Sequence, residues 1–189
     1  MTTARIRWTL MPMALVAVTA CLLAPVVAAQ EPPMPKPGPE HALLKMDEGT
    51  WDATVEFFPA PGAPAMTSKG VEVDTMGCGG LCLITDFTGE AMGSPFHGHG
   101  VTIWDAAKKR YTGTWMDSLS FGLSMTESTH DAATKTWTGV MNAPDATGKV
   151  TKMRSVGEMK GTTRVFTTYG PGPDGKEMMT MRITLTKRQ

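Results

Sequence analysis

The sequence predicts an all-β protein: a single closed antiparallel barrel of about ten strands behind one short helix. Three observations carry this. Between Trp51 and Lys187, short runs rich in β-branched and aromatic residues recur at spacings of roughly 10–14 residues, without a helix-period segment between them. Turn-forming residues separate the runs, most strongly Pro171-Gly172-Pro173-Asp174-Gly175. The last run alternates: Met179, Met181, Ile183 and Leu185 fall on one face, and Thr180, Arg182, Thr184 and Thr186 on the other. An antiparallel sheet of this many strands must hide its edges, and closing on itself does so.

The elements follow in order. Arg5 and Arg7 form a basic head before an uncharged apolar stretch, and Val27-Ala28-Ala29 supplies small residues for a signal peptidase. Residues 1–29 therefore read as a secretory signal with cleavage near Ala29, giving a protein exported to a periplasm or beyond. Pro12 and Pro25 and the lack of a charged stop-transfer flank argue against a membrane span. A competing cleavage box, Val18-Thr19-Ala20-Cys21, would instead leave a lipid on Cys21, although the apolar residues 22–27 would be an odd start for a lipoprotein.

Residues 30–38 are proline-rich and read as a tether, leaving residues 39–189 as one domain. The whole chain has 18 basic and 18 acidic residues, and loss of Arg5 and Arg7 leaves it slightly acidic. No basic patch points to nucleic acid.

Residues 39–46 read as a short helix. Pro39 and Glu40 suit a helix N-terminus, and Gly49 ends the segment. A helix this short needs tertiary support. Leu43, Leu44 and Met46 are therefore expected to cover one end of the barrel. Strands are expected over residues 51–58, 69–75, 82–91, 97–104, 110–117, 123–130, 136–141, 150–158, 164–169 and 177–187.

Cys78 and Cys82 lie four residues apart. Four steps of extended strand span ~13 Å, whereas a disulfide needs Cα atoms within ~7 Å. A bridge requires the chain to turn at Gly79-Gly80, which glycines permit. Export allows oxidation, and the sequence leaves bridge and free thiols both open.

Several blocks resemble a known family. Pro39-Glu40-His41-x-Leu43-Leu44, Gly49-Thr50-Trp51, Asp86-Phe87-x-Gly89-Glu90-x-Met92-Gly93-x-Pro95-Phe96-x-Gly98-x-Gly100 and Lys109-x-Tyr111-x-Gly113-Thr114-Trp115-x-Asp117-Ser118 occur in order. Asp131-Ala132-Ala133-Thr134-Lys135-Thr136 and Gly172-Pro173-Asp174-Gly175-Lys176-Glu177 extend the match to residues 39–187. Together they are similar to the bacterial domain of unknown function 1579. The resemblance implies a lipocalin-like barrel and carries no catalytic residue. Ile103-Trp104-Asp105 stands where the family often has Gly-Tyr-Asp, and the Cys78/Cys82 pair departs from the pattern. Gly49-Thr50-Trp51 resembles the Gly-x-Trp opening of lipocalin-type barrels. The resemblance implies that Trp51 plugs the closed end with a late-strand arginine over it, for which Arg182 is the candidate; an ordinary core tryptophan beside a solvated Arg182 is the alternative.

Candidate chemistry is sparse. His97 and His99 share a strand face and would supply two metal ligands, with no motif for a third. Solvated histidines are the simpler reading. Thirteen of the sixteen methionines follow Ala29. Thioethers suit Cu(I), but scattered methionines read first as core and cavity lining. Asp117 shares a face with Tyr111 and Trp115, and Glu127 with Leu123 and Met125. If inward, these acids would have raised pKa values, although Asp117 is also placed to bond the following turn through Ser118 and Ser120. Gly93-Ser94-Pro95 is not a nucleophile elbow, and no glycine-rich phosphate loop precedes a helix.

The reading favoured by the sequence is a non-catalytic barrel that binds a small apolar molecule. Its expected wall comprises Tyr111, Trp115, Asp117, Met125, Glu127, Phe166, Met179 and Met181. A metal- or haem-handling protein or enzyme using His97/His99 and Asp117/Glu127 is the second reading, and a solidly packed structural barrel the third. The sequence names no cofactor and fixes no oligomeric state.

Overall fold

The computed structural model describes residues 34–145 and 147–189. The expected signal segment, Cys21 and the first residues of the proline-rich tether lie outside the described residues. Residues 34–38 carry no regular structure.

Among the described residues the chain forms one helix, α1 (Pro39–Asp47), and ten strands. These are β1 (Gly49–Phe57), β2 (Met66–Gly77), β3 (Cys82–Ala91), β4 (Ser94–Asp105) and β5 (Arg110–Asp117), then β6 (Ser124–Asp131), β7 (Thr136–Pro144), β8 (Val150–Lys160), β9 (Thr163–Pro171) and β10 (Glu177–Lys187). Each strand pairs antiparallel with the next, and β10 pairs back onto β1, so the sheet closes. Every expected strand is present. The helix at the front is also present and is no filler: Leu44 is buried against Leu83 and Tyr111, with Leu43, Met76, Trp104 and Trp137 around them. Met46 does not join this cover; it is 59% exposed.

Pro39 opens α1 because its missing N–H costs nothing there. The free Gly38 N–H donates to His41 Nδ1 at 2.9 Å. The Tyr111 hydroxyl donates to the Glu40 carbonyl (2.9 Å) and the Trp51 indole N–H to the Asp47 carbonyl (2.8 Å). A helix of nine residues, marginal by itself, is thus fastened to the barrel at both ends. We call this end of the barrel the helix end and the opposite one the open end.

Closure sorts side chains by parity. Trp51, Ala53 and Val55 on β1 face inward, opposite Leu185 and Ile183 of β10 and Glu72 and Gly70 of β2. The main core is Trp51, Ala53, Phe87 and Leu185, joined by Val55, Phe96, Trp115, Met159 and Ile183. It leans on the arc from β10 through β1 to β3. Two glycines on β4 make room for it: a Cβ at Gly98 or Gly100 would run into the Trp115 indole lying across them. Gly49 has φ +140, a backbone conformation that favours glycine at the start of Gly49-Thr50-Trp51.

The alternation expected in β10 breaks at a register shift between Met179 and Met181. Met181 pairs with Thr168, on the inward face of β9, whereas Met179 pairs with Tyr169. Tyr169 lies under the Arg154 guanidinium, 4.0 Å from its ring centroid, on the outer side. The two methionines therefore do not share a face. The inserted residue, Thr180, bonds back to the Thr168 hydroxyl at 2.8 Å.

Cys78 and Cys82 form a disulfide across the β2–β3 turn, with Cα atoms 5.5 Å apart. The chain reverses through Gly79-Gly80, both at positive φ, and the Gly77 carbonyl accepts the Gly80 N–H at 2.8 Å. Among the described residues no helix is long and apolar enough to cross a membrane.

Candidate functional site

The two ends of the barrel differ in how tightly they are packed. At the helix end, α1, Trp51 and a buried ionic cluster close the barrel. Arg164 on β9 is the centre of that cluster. Its guanidinium lies over the Trp51 ring, 4.5 Å from the centroid, with Lys187 Nζ 5.1 Å from the same ring. Arg164 donates to Asp47 and Asp74, each at 3.1 Å, and to Glu72. Asp74 also accepts from the Thr85 hydroxyl at 2.6 Å.

Three carboxylates on one guanidinium leave excess negative charge in a dry place. Glu72 is pushed up to about 8: burial is the largest cause, Arg164 pulls against it, and the neighbouring Asp74 and Asp47 add to the rise. Burial raises Asp47 as well. Burial alone would lower Arg164, but the three acids outweigh it and keep the arginine charged.

The arginine over Trp51 is therefore Arg164, not Arg182. Arg182 lies between the inward Met181 and Ile183 in sequence, so it faces outward, opposite Glu56 and Thr167. No motif marked Asp47, Glu72, Asp74 or Arg164 in the sequence. In Val71-Glu72-Val73-Asp74 the valines suggest the core face, yet Val73 is exposed and both acids are buried. Only the register of the folded sheet sets Glu72 directly opposite Trp51.

Away from the core arc, several inward side chains of β5–β9 are only half-buried, although Tyr111, Ser124 and Thr168 are buried. Trp115, Thr126, Met141, Met153, Ser155 and Phe166 all point inside by register and remain partly solvent-accessible. These side chains lie on the inner face of the closed wall, toward its middle and its open end. Two depressions, of about 460 and 310 Å³, lie instead on the outside of the wall. One is bordered by Asp52, Thr54, Lys69, Thr184 and Thr186, the other by Arg110, Glu127, Thr129, Thr138, Val140 and Arg154.

The expected wall residues sort as follows. Tyr111, Trp115, Asp117, Phe166 and Met181 face inward. Tyr111 is buried under α1, packs on Trp104 and Trp137, and has its hydroxyl pushed up to about 12 by burial and by Glu40. It belongs to the packed helix end. Asp117 accepts from the Trp115 indole (2.9 Å) and from the Leu119 N–H (2.9 Å), so it orients the indole and caps the following turn. Met125 and Glu127 lie on the outside: Met125 is 43% exposed, and Glu127 pairs with Arg110 at 2.8 Å and Lys108 at 3.7 Å. Register sets the inner face of β6: Ser124, Thr126 and Ser128 lie opposite the inward Trp115, Gly113 and Tyr111, and His130 continues the same face. Met179 is turned out by the shift at Thr180.

His97 and His99 do share a face, but it is the outer one, opposite Thr88 and Asp86. His99 Nδ1 lies 2.7 Å from Asp86 Oδ1. Among the described residues no group of three or more His, Cys, Asp or Glu side chains is placed to hold a metal ion. The wall also separates His97, His99 and Glu127 from Asp117, so these four residues make no common site.

No curated protein matches the chain. The family described as protein of unknown function (DUF1579) matches residues 36–187, which is α1 and the entire barrel, and the chain belongs to that family.

Proposed function

We propose that the protein is a binding protein that holds a small, largely apolar molecule in the open half of its barrel. The observation that carries this is the partial exposure of Trp115, Met141, Met153 and Phe166 on the inside of a closed wall. Ligand sites of this kind are concave and apolar, with a few polar groups to orient the guest. Here Thr126 and Ser155 offer hydroxyls on the same surface. Methionines give the wall pliability, which suits guests of irregular shape.

The approach is apolar as well. Phe121, Leu119 and Leu123 in the β5–β6 connection, Met92 at the β3–β4 turn and Val150 at the start of β8 are exposed, all toward the open end. Exposed apolar groups gathered at one end of a protein mark a contact or entry surface. The proposal includes export: residues 1–29 would direct the chain out of the cytoplasm, and N-terminal sequencing of protein recovered from its host would find the mature chain starting near Gln30.

Titration with N-phenyl-1-naphthylamine, an apolar fluorophore, tests the binding reading. The intact exported protein should enhance its emission saturably and quench Trp115. Ser155→Trp, which fills the hollow, should weaken binding at least tenfold, and Thr129→Trp on the outer face should not. Equal binding by both variants would place the probe elsewhere and refute the reading.

A further inference from the structure

Two hydroxyls converge over bare backbone on the inner wall. Gly113 of β5 faces inward, directly opposite Thr102 of β4 on one side and Thr126 of β6 on the other. The point where a Gly113 Cβ would stand lies 2.7 Å from Thr126 Oγ1 and 3.0 Å from Thr102 Oγ1. Both side chains therefore lean over the glycine from its two flanks. A similar arrangement recurs on the next strands. Gly139 of β7 faces inward between Ser128 of β6 and Ser155 of β8, and Ser128 Cβ lies 2.8 Å from where a Gly139 Cβ would stand.

The fold does not use these four hydroxyls. Other inward hydroxyls are engaged: Thr85 donates to Asp74, and Thr168 and Thr180 bond each other. Among the described residues no protein group hydrogen-bonds the hydroxyl of Thr102, Thr126, Ser128 or Ser155, and the one side-chain polar atom that is both unpartnered and sealed from solvent is Thr112 Oγ1. The four are thus open to a partner that is not protein. Their surroundings offer no free charge. Strands β6, β7 and β8 turn no carboxylate, lysine or arginine inward, and His130, on the same face of β6, packs on Trp137 with ring centroids 4.8 Å apart. The charges that do face inward are occupied. Arg164 is held by Asp47, Glu72 and Asp74, Lys187 lies over Trp51, and Asp117 accepts from the Trp115 indole and the Leu119 N–H. Met141, directly opposite Thr126, and Met153, opposite Met141, continue the same inner surface with apolar side chains.

We propose that the guest of the barrel is an uncharged amphiphile, a long-chain alcohol or a neutral ester, whose hydroxyl or carbonyl oxygen is held by Thr102 and Thr126 beside Gly113 while its chain lies against Met141 and Met153. This rests on the binding reading above and names the chemical class of the guest. A threonine hydroxyl both donates and accepts, so the pair serves an alcohol and a carbonyl alike. A carboxylate or an ammonium would leave water with no opposite charge to meet it, at a cost far above that of a neutral group. A plain hydrocarbon would cover the hydroxyls and leave them unpaired.

Displacement of N-phenyl-1-naphthylamine from the intact protein tests this, with 1-decanol, decanoate and decylammonium as competitors at pH 7, where the last two are ionised. Decanol should displace the probe at a concentration at least tenfold below that of either ion, a ranking that needs no variant. Thr102→Val and Thr126→Val keep the branched shape and remove the hydroxyls. Combined, they should cut the advantage of decanol over decanoate at least tenfold. Thr138→Val, on the outer face, should leave that advantage intact. A decanoate or decylammonium that displaces the probe as well as decanol does, or a double variant that keeps the full preference, would overturn the proposal while probe binding, and with it the binding reading, still stood. A protein that takes up no probe at all would refute the binding reading and this proposal together.

Discussion

Arg164 lies across the indole of Trp51, 4.5 Å from guanidinium carbon to ring centroid, and the same guanidinium binds Asp47 at the end of α1. One side chain therefore joins the last third of the barrel, its first strand and the helix that covers it. Stacking on an indole is worth about 0.5–2 kcal/mol. The ion pairs matter more through what their loss would leave behind, since Asp47, Glu72 and Asp74 would then be buried without a cation.

Arg164→Met should accordingly destabilise the protein by about 3–5 kcal/mol, the usual cost of removing one partner of a buried pair. Arg182→Ala, on the outer face, should change stability by less than about 0.5 kcal/mol. Urea denaturation followed by tryptophan fluorescence measures both. A large loss in the Arg182 variant with a small one in the Arg164 variant would reverse the assignment.

The same cluster sets a pH dependence. Folded Glu72 keeps its proton up to about pH 8, whereas an unfolded glutamate releases it near the ordinary value of 4.5. Between those values the native state binds the extra proton, so its stability falls as pH rises through the window and levels off above it. Asp47, also raised, acts with the same sign. Asp52, Asp105, Asp131, Asp145 and Glu177 are lowered, so their contribution is lost only in acid, below the window. Unfolding free energy should therefore be lower at pH 8 than at pH 5.5, and Glu72→Gln, which mimics the protonated acid, should shrink that difference. A wild-type profile that is flat or rises toward pH 8 would contradict the buried-acid account.

Reduction of Cys78–Cys82 opens a loop of only a few residues, so the chain-entropy contribution is at most about 2 kcal/mol. The bridge sits at the helix end, away from the hollow. Mild reductant should lower the melting temperature by a few degrees and leave naphthylamine affinity unchanged.

Gly98→Ala tests the seat of Trp115. The added methyl collides with the indole and with it disturbs the hydrogen bond to Asp117. Overpacking of this kind costs about 1–3 kcal/mol. The variant should show red-shifted tryptophan emission and weaker probe binding, because Trp115 stands between the core and the hollow. Unchanged emission would show that the indole does not lie on Gly98.

The strands were legible because turn residues and β-rich runs are local signals. So was the inward set Tyr111, Trp115 and Asp117, where an uninterrupted alternation fixes the face. Met179 was misplaced because one inserted residue, Thr180, reverses parity, and nothing at that point of the sequence announces a register shift. Glu127 and Met125 were misplaced for a related reason: β6 turns its threonines and serines inward, against the usual association of apolar residues with the inside. The ionic cluster was invisible because its members come from α1, β2 and β9, and only closure brings Arg164 to Trp51.

The central claim is that solvent enters the barrel along β5–β9. A cysteine introduced by Ser155→Cys, in protein whose Cys78–Cys82 bridge is intact, reads this directly through its rate of reaction with a small maleimide. The account predicts rapid modification, slowed at least tenfold by saturating N-phenyl-1-naphthylamine. A thiol at this position that stays unreactive in the folded protein would mean a filled interior and would contradict the account.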